Sequence, residues 1–413
     1  MSSDARLLDL IDRVCGGKPG ESFGVAVSGG SDSLALLHLA AAWGKAPVHA
    51  VTVDHGLRDE AAAEAAYVAK ICDRLGVAHH ILRWHWDGTG NLQDRARRAR
   101  YDLIADWAAH ERVQTVLLGH TQDDVAETFL MRLAREAGID GLSAMRAEVE
   151  RNGVAFLRPF LSVARADLQS YLTRHHVDWI CDPSNDDARF DRVKARQALE
   201  ALSPLGITAE GLATVAYNLG LARTDLNFAA HRAAELHLSY EEGDIVIDDV
   251  TALRRIGVEI PRRLMVAALM AVSGAQYPPR RLTVYDLDAD LRLGRTSTAH
   301  GCLLTVQKDS IRITREWNAV KGLVSDTSGL WDGRWRLDGP HAPDLIVAAL
   351  GEEGILHCPD WRDTGLPRAS HLASPAVWRG VELVAAPVAG LANGWCATLT
   401  RSREQFLSSL LSH

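Results

Sequence analysis

The run SGGSDS, positions 28–33, sets three hydroxyls, two glycines and a carboxylate directly behind the apolar run FGVAV. Gly29 and Gly30 allow close backbone approach and dihedrals closed to other residues. A Gly-rich turn that exposes N–H groups ahead of a helix N-terminus is an anion cradle. Ser28, Ser31 and Ser33 add donors to it. No Lys-Ser/Thr pair ends the loop, and the glycine spacing is not G-x-G-x-x-G, so neither of those two phosphate loops is present. The loop carries Asp32 instead, and an acid belongs beside phosphate only with Mg²⁺ between them. A merely capping Asp32 is the alternative; the full six-residue pattern argues for the phosphate site. A second group lies in GHTQDDVAET, positions 119–128. Asp123 and Glu127 stand four apart and Asp124 and Glu127 three apart, so on a helix they share or border one face. With His120 they make an acidic cluster that needs cations, and Mg²⁺ or an organic ammonium group would serve. Asp32 and Asp124 are the candidate metal ligands. A third group, DRARRARY at 94–101, places Arg97 and Arg100 on one helix face, where guanidinium forks suit phosphate; Arg95 and Arg98 read as solvated.

These residues need a scaffold that brings them together. The chain alternates apolar strand patterns (23–28, 48–56, 78–84, 113–120) with helical ones (33–43, 59–76, 91–110 with Asn91 as N-cap, 122–136). Such a rhythm predicts an α/β fold, a parallel sheet with helices on both faces. Both acid-bearing loops then follow strand C-termini, where ligands bind in sheets of this kind. Past about residue 205 the pattern becomes mainly helical, with a long helix over 208–238, a strand at 244–249 and a hairpin over 291–316. Residues 319–413 alternate tryptophans, prolines and short β-like runs, which reads as a small third module. The expected domains are 1–205, 206–318 and 319–413.

Composition bounds the function classes. With 413 residues, 47% hydrophobic and 24% charged, the chain is globular and longer than one ordinary domain. No apolar run is long enough for a membrane span, and the N-terminus lacks a signal-peptide pattern. Six dispersed cysteines form no CxxC, which fits neither a zinc ribbon nor a disulfide scaffold and suits a reducing cytoplasm. The net charge of −8 assigns any nucleic-acid contact to local patches. Candidates are Arg254/Arg255, Arg262/Arg263, Arg280/Arg281 and the group Arg189, Arg192, Lys194, Arg196.

SGGSDS resembles the pyrophosphate loop of the N-type ATP pyrophosphatases, the PP-loop superfamily. The ordered set VDHGLR (53–58), ARRARY (96–101), GHTQDDVAET, RLAREAGIDGLSAM (132–145), RPFL (158–161) and DPSNDDARFDRVKAR (182–196) resembles tRNA(Ile)-lysidine synthetase across roughly the first half of the chain. That resemblance implies ATP-dependent attachment of lysine to C2 of the wobble cytidine of a CAU-anticodon isoleucine tRNA. An adenylated cytidine is the intermediate, and pyrophosphate and AMP are released. The partners implied are ATP, Mg²⁺, L-lysine and that tRNA, with no membrane and with a homodimer left open. The loop residues 28–33 would hold phosphate. Asp123 or Asp124 would hold the lysine amine, His120 would lie near ATP, and Arg97 and Arg100 would reach ATP or the adenylated cytidine. The main chain at Val53 is a candidate adenine contact, with His55 beside it. Two departures stand out: REAG (135–138) replaces a more flexible glycine-rich turn, and Val193 stands where the family has asparagine. A PP-loop tRNA thiolase is the alternative, for which paired cysteines are wanting. A non-catalytic nucleotide sensor, which would not need the acidic cluster, is the other.

Overall fold

The computed structural model describes residues 3–16, 22–56, 61–86, 88–89, 92–181 and 189–411. The Asn91 cap, the Leu57–Arg58 end of VDHGLR and the Ser184–Asn185 pair of DPSNDD lie outside the described residues. Elements of the first half are α1 (Ser3–Cys15), β1 (Phe23–Ala26), α2 (Ser31–Trp43), β2 (Val48–Asp54), α3 (Ala61–Leu75), β3 (Ala78–Arg83), α4 (Leu92–His110) and β4 (Thr115–Leu118). There follow α5 (Gln122–Leu133), α6 (Ile139–Leu142), β5 (Glu148–Arg151), β6 (Val154–Leu157), α7 (Arg165–Arg174), α8 (Asp191–Leu202) and α9 (Ala209–His237).

Strand alternation sorts the apolar side chains onto two faces. Phe23, Val25, Val27 and Leu117 pack with α1, α2 and α7 through Leu7, Ile11, Leu34, Leu37, Leu168 and Leu172. Ala26, Val116, Leu118 and Phe156 pack with Ile104, Ala105 and Ala108 of α4. The six strands run β3-β2-β1-β4-β6-β5, parallel throughout except for β5. The hairpin β5–β6 extends the four strands expected from sequence. It turns on Asn152 (φ 50°) and Gly153 (φ 76°), an Asn-Gly pair suited to a tight hairpin. From β1 the chain proceeds outward to β2 and β3 and then returns to β4 on the other side. The order therefore reverses between β1 and β4, and the two acid-bearing loops leave that switch point together.

The chain divides into two compact units, Met1–Arg223 and Thr224–His413. The division falls inside α9, whose Ala213 and Ala216 pack on Val125 and Phe129 of α5. The second unit is richer in strands than its helical sequence pattern suggests. A five-stranded antiparallel sheet, β7 (Leu238–Glu241), β8 (Asp244–Ile247), β9 (Ser297–Ala299), β10 (Cys302–Gln307) and β11 (Ser310–Arg315), is covered by α10 (Val250–Arg255), α11 (Glu259–Ser273) and α12 (Arg281–Arg292). Residues 324–399 add a four-stranded and a three-stranded sheet around Trp331, Trp335 and Trp395. No helix among the described residues is long and apolar enough to cross a membrane.

Candidate active site

The β1–α2 turn adopts its shape because Gly29 takes φ 86°, a conformation that side chains strain. A Cβ there would also stand 2.6 Å from Ile180 Cδ1, and Ile180 N donates to Gly29 O at 2.9 Å. Ser33 Oγ donates to Gly30 O at 3.0 Å and accepts from Ser28 N at 3.1 Å, so the turn is laced from within. Gly119, leaving β4, lets the second loop approach: a Cβ there would meet Asp32 O at 2.9 Å.

These loops border an open cavity of about 700 Å³. Ser28, Gly30, Ser31, Asp32 and Ser33 line it at one wall, and Val53, His55, Arg100, His120 and Asp124 line others. Gly29 belongs to the same turn without lining the cavity. Arg97 is exposed and lies outside the lining, whereas Arg100, one helical turn on, is half-buried within it. Burial pulls the Arg100 guanidinium below its usual range. No carboxylate among the described residues pairs with it.

The acidic cluster is drawn together around Arg165, at the start of α7. Its Nε donates to Asp32 Oδ2 at 2.9 Å and its Nη1 to Glu127 Oε1 at 3.2 Å, while Nη2 lies 3.4 Å from Asp124 Oδ1. Arg192 reaches Asp124 Oδ1 at 3.3 Å and Arg196 reaches Glu127 Oε1 at 2.6 Å. The cations that sequence reasoning sought for this cluster thus include three arginines of the chain itself. Burial raises the Asp32 carboxyl above the usual range despite Arg165. Burial acts the same way on Asp124, but Arg165, the Thr121 N–H and Arg192 overcome it and hold that carboxyl low. Thr121 and Asp124 form a reciprocal cap of α5, with Thr121 N donating to Asp124 Oδ2 at 2.9 Å. Asp123 faces elsewhere: its Oδ2 accepts from Arg165 N at 2.7 Å, which caps the first turn of α7.

His120 is kept neutral. Burial, then Arg158 and Arg100, outweigh Asp124 and depress its pKa to about 3. Its Nδ1 accepts from Arg158 Nε at 3.2 Å, which leaves the proton on Nε2. Arg158 also donates to Arg146 O at 2.7 Å and to the Tyr101 hydroxyl at 3.2 Å. His55 is likewise lowered by burial and by Arg100, and it meets Trp84 edge-on at 5.7 Å.

Arg165 and Arg158 escaped the sequence reading as functional residues. RPFL was singled out without a role for its arginine, and nothing local marks Arg165, whose partners lie 38 and 133 residues away. Of the two departures, Glu136 takes φ 56°, which explains why a flexible residue suits that turn, and Val193 is buried within α8. Cys181 lines the cavity, alone among the cysteines.

A family model described as a PP-loop domain matches residues 2–202. The tRNA(Ile)-lysidine synthase of Ruegeria pomeroyi is 48% identical over 400 residues, covering 96% of this chain and 95% of that protein. That of Wolbachia pipientis is 32% identical over 342 residues, 79% of each. That of Zymomonas mobilis is 40% identical over 256 residues, 61% of this chain and 76% of that protein.

Proposed function

The chain belongs to the tRNA(Ile)-lysidine synthase family, and on that premise we propose how its cavity activates a cytidine with ATP and then joins lysine to it. The activity is ligation of lysine to the wobble cytidine of the CAU-anticodon isoleucine tRNA. The observation that carries the reading is the convergence of loop 28–33, Arg100 and Asp124 on one cavity at the sheet's switch point.

Cytosine O2 is a poor leaving group, so it is first adenylated. O2 attacks the α-phosphorus and pyrophosphate departs against the N–H groups of the serine loop and the N-terminus of α2. Arg100, a guanidinium with no carboxylate partner among the described residues, is suited to the phosphate anion. The Val53 main chain and His55 border the space for adenine. His120, neutral and protonated on Nε2, serves as a hydrogen-bond donor. Lysine then attacks C2 through its neutral ε-amine, and AMP leaves with O2. A carboxylate beside the amine orients it and accepts its proton. Asp32 and Asp124, hard oxygen donors that both line the cavity and both reach Arg165, fit a Mg²⁺ ion; the buried, raised carboxyl of Asp32 is one that further positive charge would satisfy. When bound, Mg²⁺ supplies charge neutralisation to the departing pyrophosphate. The bond from Arg165 N to Asp123 supports giving the substrate-facing role to Asp124 and a capping role to Asp123. The second unit is the candidate tRNA-holding part. Within it Arg254 and Arg255 are exposed, whereas Glu259 pairs with Arg262 at 2.6 Å and Arg263 at 2.9 Å. The Arg281 side chain lies outside the described residues.

The test uses the full chain with ATP, Mg²⁺, labelled lysine and a CAU-anticodon isoleucine tRNA transcript. Incorporation of lysine into that tRNA is expected, and none would overturn the reading. Pyrophosphate release and lysine dependence are then measured for Asp124→Asn and Asp123→Asn. A charge-assisted bond is worth about 1.5–3 kcal/mol, roughly ten- to a hundredfold. Asp124→Asn should lose that much in one step or the other, while Asp123→Asn keeps both. Equal losses in the two variants would refute the division of roles.

A further inference from the structure

At the opposite end of the sheet from the cavity, three side chains with ligand chemistry meet. His49 is the second residue of β2, His80 the third of β3, and Glu111 follows the last residue of α4. One ligand atom from each lies within 4.8 Å of the others, and all three residues are half-buried. β2 rises about 3.3 Å per residue, so His49 stands about 20 Å from His55 at the cavity wall.

We infer that His49, His80 and Glu111 form a binding site for a divalent transition-metal ion of the zinc type, separate from the nucleotide cavity. Two imidazoles and one carboxylate are a donor set that zinc accepts, with a water completing a tetrahedron. Zinc–nitrogen bonds of about 2.0–2.1 Å place ligand atoms about 3.3 Å apart, within reach of small ring rotations from the observed spread. Independent features of the site agree. The Nδ1 atom of His49 is buried and has no hydrogen-bond partner, which a metal bond would resolve. The imidazole of His80 makes no hydrogen bond among the described residues and is steered by Trp107, with ring centroids 5.6 Å apart. Glu111 Oε1 accepts from His110 Nδ1 at 3.1 Å, the kind of outer contact that orients a ligating carboxylate. The C-terminus of α4 adds partial negative charge.

The ion would join β2, the edge strand β3 and the end of α4. Helix α4 is the element that carries Arg100 into the cavity, so the site would anchor that helix at its far end.

The experiment is titration of the metal-stripped full chain with Zn²⁺ alone, by calorimetry and by competition with a chromophoric chelator. Wild type should take up one equivalent at micromolar affinity or better, with a rise in melting temperature. Glu111→Gln, an isosteric change at a half-exposed position, should weaken that equivalent at least roughly tenfold, and His80→Asn should abolish it. Asp32→Asn should leave it intact. Absence of a micromolar site in wild type, unchanged affinity in Glu111→Gln, or loss of the equivalent in Asp32→Asn would each overturn the assignment.

Discussion

Removing the Arg165 guanidinium while keeping its apolar length, by Arg165→Met, tests whether this residue holds the acidic cluster together. The side chain is 21% exposed, and its three carboxylate partners, Asp32, Asp124 and Glu127, are 18%, 7% and 1% exposed. Taking one partner from a buried ion pair costs about 3–5 kcal/mol, because the remaining charge stays desolvated. Asp124 and Glu127 keep Arg192 and Arg196, so the penalty falls mainly on Asp32, whose remaining bond is from Ser31 Oγ at 3.0 Å. The loss is therefore that of one buried pair and not of three. Hydrogen exchange of the most protected amides in β1, α2 and α5 reads this directly: about 3–5 kcal/mol corresponds to roughly a hundred- to several-thousandfold faster exchange. The penalty should also depend on pH. The raised carboxyl of Asp32 favours folding below its ordinary value and loses that contribution as pH rises through the raised one. Without Arg165 it climbs further. Asp124, held low, stabilises the fold above its ordinary value, and that contribution shrinks without Arg165. The Asp32 difference is felt at neutral pH and fades as pH falls through its raised value, whereas the Asp124 difference persists down to its ordinary value, so through Asp32 the variant-to-wild-type exchange ratio should be smaller at pH 5 than at pH 7.5. A ratio below about tenfold at pH 7.5, or one equal at both pH values, would refute the assignment of Arg165.

Gly29→Ala forces a side chain onto φ 86° and against Ile180; the strain and overpacking together should cost about 2–4 kcal/mol and slow pyrophosphate release well before lysine dependence changes, and normal release would contradict the cradle. His120, depressed to about 3, is neutral across the working range. The pH profile of adenylation from pH 5.5 to 8.5 should therefore have the same shape in wild type and His120→Asn, and an inflection near neutrality that the substitution removes would show His120 titrating.

What the sequence disclosed was local. The apolar runs 23–28 and 113–120 and the helical runs between them predicted the parallel sheet, and the two acid-bearing loops were legible from composition and spacing. The β5–β6 hairpin carried its signal too, an Asn-Gly pair between EVER and VAFL that was passed over. Arg165 carried none. A guanidinium neutralising acids far away in sequence becomes visible only when α7 is laid against α2 and α5. The distinction between Asp123 and Asp124 is similar: adjacent acids on a helix look alike until a neighbouring N–H claims one. In the second unit, β8 and the β10–β11 hairpin were legible as the strand at 244–249 and the hairpin over 291–316, whereas β7 and β9, four and three residues long, were hidden by the helical patterns beside them.

The entry of α9 into the first unit bears on how the gene can be dissected. Ala213 and Ala216 cover Val125 and Phe129 of α5, and Ala216 O accepts from Ala144 N at 2.9 Å. A stop codon placed ahead of α9, where the sequence pattern changes, would strip this cover and leave an apolar patch of α5 in water, inviting self-association. A fragment meant to report on nucleotide chemistry alone needs the first four turns of α9 as part of its own core, and its natural end is near Arg223.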